Sequence, residues 1–277
     1  MPVEQRSGKI GLAFGSGSAR GWAHIGVLRA LEERGIRPAV VSGASTGSLV
    51  AAACASGQVD ELESWVRSLT KIDVWRLMDA NFGGGGVMTG NKLMRAVREQ
   101  LVDHEIEALD CRFGALAADL YSGREVWIRN GSMLSAVRAS SGMPGLFTPV
   151  QHQGRWLIDG GVVNPVPVSL CRALGADYII AVGLNRRLTD ELVGRPDEAN
   201  SGNTQASMME VMYTSIIIMQ EQITRSRLVG DPPDVVIRPR LSDFSMMDFH
   251  RAAEAIDEGY AAVERLHGEL AMAPGVG

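Results

Sequence analysis

The chain has 277 residues, 45% of them hydrophobic and 21% charged, which suits one large globular domain. A net charge of −5 argues against nucleic acid as a partner and against a polybasic grip on anionic lipid. Cys54, Cys111 and Cys171 are far apart and show no disulfide framework or zinc-ligand spacing, so they are expected as reduced thiols in the cytoplasm.

Residues 1–10 lack the apolar core of a signal peptide, and no apolar run nears the roughly 18 residues that span a bilayer. A soluble protein is expected. Residues 9–14 read as a first strand, followed by the small-residue loop Gly15-Ser16-Gly17-Ser18-Ala19-Arg20-Gly21. Trp22, Ile25, Leu28 and Leu31 then recur at helical spacing, and Gly35 closes that helix. A second short apolar run, 38–41, leads into Gly43-Ala44-Ser45-Thr46-Gly47, and an alanine-rich helix follows from Leu49. This strand-helix-strand-helix opening predicts a parallel sheet.

Asp60 is the expected N-cap of a helix facing inward through Leu62, Trp65, Val66 and Leu69. The glycine run at 83–86 reads as a loop, a connector with a mobile cover over a site as the alternative, and 89–101 as a helix. Strands are expected at 112–120 and 125–128, joined at Ser122-Gly123, then a helix over 132–140 broken by Gly142 and Pro144. Residues 155–158 read as a strand ending in Asp159-Gly160-Gly161. Asn164, Pro165 and Pro167 lead into a helix closed by Gly175, and 178–184 is another buried strand. The polar stretch 185–205 reads as a flexible surface loop. Helices are expected at 206–228 and 247–270, with a last strand at 235–237. The methionines from Met208 to Met219 are expected to pack as helix core, although a lipid or subunit contact is the alternative. No repeat or interdomain linker interrupts 1–277, and 206–270 is expected to pack on the same α/β domain.

Three features carry chemistry. A serine between glycines at a strand-to-helix turn is the nucleophile-elbow pattern, although a tight capping turn uses the same residues. The loop from Gly15 to Gly21 leaves backbone N–H groups uncovered at a helix start, where they suit a negative oxygen. It departs from the dinucleotide fingerprint: three residues separate Gly17 from Gly21, and no acid ends the second strand. Asp159 is an acid at an apolar strand end, uncrowded by Gly160 and Gly161, though an Asp-Gly turn has the same appearance. The five histidines, His24, His104, His152, His250 and His267, have no sequence context that argues for catalysis.

Taken together, Gly15 to Gly21, Gly43 to Gly47 and Asp159-Gly160-Gly161 resemble the patatin-like phospholipase family. So do Ala139-Ser140-Ser141-Gly142, Asn164-Pro165-Val166-Pro167, Asp231-Pro232-Pro233 and Asp248-Phe249-His250-Arg251, which are similar to its bacterial RssA-type members. The resemblance covers nearly the whole chain. It implies a mixed, mostly parallel sheet between helices, and a serine acyl hydrolase without cofactor or metal. By position, Ser45 would be the nucleophile and Asp159 the base. Gly15, Gly17, Ser18 and Arg20 would form the oxyanion hole, and Gly43, Gly47, Gly160 and Gly161 are the motif glycines. Ser16 and Ser18 depart from the pattern, since many members have glycine there. The implied partner is a phospholipid or related lipid ester, with peripheral membrane contact and homo-oligomerisation as further expectations. Two rivals stay open: a Ser-Asp-His α/β-hydrolase using Ser45, Asp159 and His250, and a regulatory protein with little turnover.

Overall fold

The computed structural model describes residues 8–79, 88–184, 208–270 and 274. The glycine run at 83–86 and the polar stretch 185–205 lie outside the described residues. Five strands run parallel in the order β8 (Val235–Ile237), β7 (Tyr178–Val182), β1 (Ile10–Phe14), β2 (Val40–Ala44) and β3 (Arg112–Asp119). β4 (Glu125–Ile128) and β6 (Arg155–Asp159) pair antiparallel with β3, and β5 (Val150–His152) pairs with β6. The sheet is mixed and mostly parallel.

Alternation along the strands explains the layers. Leu12, Phe14, Val41, Ile180 and Val182 enter one core, and Ala13, Val40, Ile179 and Ala181 enter the other, all of them buried. A strand whose two sets of side chains are both apolar must be covered on both faces. The larger core lies under α1 (Ala23–Glu33), α2 (Thr46–Ala55), α3 (Val59–Ser68), α5 (Asn91–Gln100) and α6 (Met133–Ser140). The opposite face is covered by α7 (Val168–Ala173), with Leu228 of α8 (Met208–Gly230) against it. Each fully buried Leu or Phe contributes about 1.5–3 kcal/mol by leaving water.

Several expectations need correction. The helix cap expected at Asp60 falls at Gln58; Asp60 sits in the first turn, where its charge suits the helix dipole and pairs with Arg29. A separate short helix, α4 (Lys71–Leu77), follows, opened by a reciprocal Thr70–Asp73 capping box. The terminal helix is broken into a 3-10 turn (Phe249–Arg251), α9 (Ala252–Glu264) and α10 (His267–Leu270). The methionine-rich face of α8 is not core throughout, because Met208 is 81% and Met219 55% exposed.

The decisive feature is where β2 and β6 end. β4 pairs with Ala115–Ala118 of β3, a stretch overlapping the registers of both β2 and β6. β2 and β6 therefore share the other edge of β3 and approach each other head-on. Ala44 lies opposite Leu116 and Asp159 opposite Ala117, so the residue after β2 meets the last residue of β6.

Candidate active site

Ser45 follows β2 and caps α2, with φ 55° and ψ −130°, a conformation that L residues rarely adopt. The turn leaves no room for side chains. A Cβ on Gly43 would come within 2.4 Å of the Gly47 carbonyl oxygen, and one on Gly47 within 2.5 Å of the Phe14 and Gly15 oxygens. Hydrogen bonds hold the strained residue. Its N–H donates to Ser140 Oγ at 2.9 Å, and Ser140 Oγ donates on to the Leu116 carbonyl at 2.5 Å. The Ser45 carbonyl accepts from the Ser48 hydroxyl at 2.6 Å and the Ser48 N–H at 2.8 Å.

Asp159 is buried at the end of β6. Its Oδ1 accepts the Gly161 N–H at 2.8 Å, while Oδ2 is buried without a hydrogen bond of regular geometry. Burial raises the carboxyl pKa to about 6, offset in part by the Ser45 hydroxyl and the Gly161 N–H. The Ser45 hydroxyl thus bears on the carboxylate without the alignment of a full hydrogen bond. Unliganded catalytic pairs often show this looser geometry. Gly160 lets β6 close on β3, since a Cβ there would lie 2.1 Å from the Leu116 oxygen.

The loop from Gly15 to Gly21 lies beside this pair and ends in a 3-10 turn, Ser18–Trp22. Among the described residues, the N–H groups of Gly17 and Ser18 have no acceptor, so two donors remain for a ligand oxygen. Gly15 differs from expectation: its N–H is committed to the Val182 carbonyl at 2.9 Å, and that of Ser16 to Pro165 at 2.8 Å. The first bond fixes the loop to β7 and the second to the segment before α7. Arg20 is buried; its Nε reaches the Gly17 carbonyl and its Nη2 the Tyr213 hydroxyl, both at 3.4 Å. It braces the loop through its side chain. Ser18 holds φ 51° and donates its hydroxyl to the Met246 carbonyl at 2.8 Å. The serine flagged as a departure from glycine therefore occupies a left-handed position.

The family model for patatin-like phospholipases matches residues 12–172, which include Ser45 and Asp159. The chain belongs to the patatin-like phospholipase family. An uncharacterised NTE family protein of Mycobacterium tuberculosis is 31% identical over 92% of this chain and 90% of its own length. The human patatin-like phospholipase domain-containing protein 6 is 27% identical over 91% of this chain, which spans 20% of that protein. Lysophospholipase NTE1 of Coccidioides immitis is 28% identical, with 91% of this chain and 17% of its own length covered. Among solved structures, VipD from Legionella pneumophila shares the fold, with a TM-score of 0.54 at 14% identity, covering 95% of this chain and 67% of that one.

Within this patatin-like domain a cavity of about 100 Å³ opens beside Ser45 and Ser18. Its walls are mainly apolar, including Trp65 and Leu69, Val74 and Leu77 of α4, and Met94 of α5. A chain of methylenes suits such walls better than any polar group. Among the described residues, no histidine is hydrogen-bonded to Ser45 or Asp159. His24 is buried, its Nε2 is 2.8 Å from the Gly15 carbonyl, and desolvation lowers its pKa to about 4. It stays neutral and supports the loop. The three cysteines are free thiols whose pKa values burial raises, Cys111 to about 11 and Cys171 to about 12, so none is a competing nucleophile at neutral pH. Sequence reasoning gave no role to Ser140 or Tyr213. Ser140 lies in one of the motifs quoted above, but its role depends on a contact 95 residues away in the chain.

Proposed function

We propose that the chain hydrolyses acyl esters of phospholipid or lysophospholipid through a Ser45–Asp159 dyad, as a cytoplasmic enzyme of lipid breakdown. The carrying observation is a buried carboxyl with a pKa of about 6 beside a strained serine, at an apolar cavity. An aqueous aspartate, near ~3.9, is too weak a base for this task, and burial improves the match. Similarity to a patatin-like phospholipase domain-containing protein and to a lysophospholipase supports the ester class. The free cysteines fit the cytoplasm.

In the first step Ser45 Oγ attacks the ester carbonyl carbon while its proton passes to Asp159 Oδ2. The Gly17 and Ser18 N–H groups receive the oxyanion, aided by the N-terminus of α2. Collapse breaks the ester bond, and the departing alcohol or lysolipid takes the proton from Asp159. The acyl group is then on Ser45. Water attacks it, giving a proton to Asp159, and the fatty acid leaves as the serine recovers its proton. Asp159 serves as base and acid in turn.

A second reading, a regulatory protein with weak turnover, is favoured by the serine at the left-handed Ser18 position. Turnover of lysophosphatidylcholine, phosphatidylcholine and p-nitrophenyl esters of graded chain length separates the two. The hydrolase reading predicts release of fatty acid by the wild type and none by Ser45→Ala. Equal background rates from both folded proteins would overturn it.

A further inference from the structure

We propose that α4 docks the protein on the surface of an anionic bilayer, with Trp75 and Ile72 entering the interface. Val74 and Leu77 of this helix line the cavity beside Ser45. Among the described residues its other face has no partner: Trp75 is 72% and Ile72 62% exposed. At α-helical spacing Lys71, Trp75, Ile72 and Arg76 fall within an arc of ~140°, with the two cations at its margins. Both cationic side chains reach solvent. Arg76 lies 3.5 Å from Asp73, yet its side chain is 69% exposed.

An indole and a branched aliphatic side chain flanked by cations match a membrane interface. The indole settles at headgroup level, the aliphatic group enters the acyl boundary, and Lys and Arg meet lipid phosphates. A second copy of the chain fits less well. Two side chains fall far short of the ~800 Å² that each partner of a stable dimer buries, and the cationic margins would face their own kind. One seven-residue helix thus presents lipid-facing chemistry on both sides, the cavity within and the bilayer without. The chain's net charge of −5 makes the attraction local to this face and sensitive to salt. The inference deepens the lipid-hydrolase reading and rests on it for the use of the cavity, but docking itself requires no turnover.

The test uses the full chain carrying Ser45→Ala, so that binding is read without hydrolysis. Co-sedimentation is measured with vesicles of phosphatidylcholine, alone and mixed with phosphatidylglycerol. Binding to the mixed vesicles is expected, with Ile72→Ser/Trp75→Ser lowering the partition coefficient at least ~10-fold and Lys71→Glu weakening it on the anionic mixture only. With Ser45 restored, Ile72→Ser/Trp75→Ser is expected to hydrolyse a short soluble ester within ~2-fold of the wild type, which also reports folding. Absence of vesicle binding, or binding unchanged in Ile72→Ser/Trp75→Ser, would overturn the proposal. So would a wild-type dimer that this double variant converts to monomer, because the face would then belong to a second copy. Failure of ester turnover in every form would sink the hydrolase reading and leave the vesicle result standing.

Discussion

Ser45 and Ser18 both hold their backbone in the left-handed region, at φ 55° and φ 51°, yet the strain serves different ends. At Ser45 the side chain is the proposed reacting group, a role that glycine could not fill, and the surroundings are arranged to hold the serine. Ser140 and Ser48 take up its N–H and carbonyl, and Gly43 and Gly47 give it room. At Ser18 the proposed working group is the backbone N–H. The hydroxyl is a strap to Met246 in the segment before α9, and nothing in the proposed chemistry needs it. The contrast shows that positive φ at a non-glycine residue signals chemistry when the side chain faces the reacting atoms. At Ser18 it accompanies a tether. Each such position costs on the order of 1–3 kcal/mol.

The sharpest way to break the comparison is to put glycine at both positions. Ser45→Gly should lower kcat/KM at least ~10⁴-fold, as loss of a catalytic serine does. It should also raise stability by about 1 kcal/mol, because relief of strain outweighs the added freedom of the unfolded chain. Thermal unfolding reads the second half of that expectation, and a lower Tm would show that the elbow is not strained.

Smaller effects follow in the loop and its supports. Gly17→Val should cost roughly 10–10²-fold in kcat/KM, since a Cβ there meets Leu184 Cδ1 at 2.4 Å and must shift a proposed oxyanion donor. Ser18→Ala keeps the N–H and should cost less; the reverse order would point away from a backbone hole. Ser140→Ala leaves the Ser45 N–H and the Leu116 carbonyl unpaired in the interior. A stability loss of about 2 kcal/mol in urea and a fall in kcat of ~10-fold are expected. Least affected should be Ser18→Gly, where relieved strain and the lost Met246 bond nearly cancel. Its kcat/KM should stay within ~3-fold of the wild type, whereas a large gain would make Ser18 a brake on the reaction.

Much of the fold was legible because its opening is local. Short apolar runs, glycine turns and helical spacing mark β1, α1, β2 and α2 without reference to the rest of the chain. Ser45 and Asp159 were legible as residues, the one by its glycine neighbours and the other by its place at a strand end. Their meeting was not legible. It depends on β2 and β6 sharing one edge of β3, a pairing between distant segments. Ser140 was hidden for the same reason. Helix α4 was missed because its seven residues carry hydrophobic side chains on both sides and so lack a single apolar stripe. The methionine face of α8 misled because adaptable side chains carry no record of what they face. Gly15 was assigned a donor that the sheet had already taken, which only the Val182 carbonyl reveals.

The central claim is that Asp159, not a histidine, takes the proton from Ser45. A carboxyl with a folded pKa of about 6 holds its proton more tightly than in the unfolded chain. Its stabilising contribution is therefore full below ~3.9 and lost as pH rises through about 6, while its power as a base appears over the same interval. The most direct measurement is the pH dependence of labelling by a fluorophosphonate, with the modified residue located by mass spectrometry. The account predicts modification of Ser45 alone, half-maximal in rate near pH 6. It also predicts a loss of at least ~10²-fold in Asp159→Asn and little change in His250→Ala. Labelling at another residue, or an Asp159→Asn rate equal to the wild type, would contradict it.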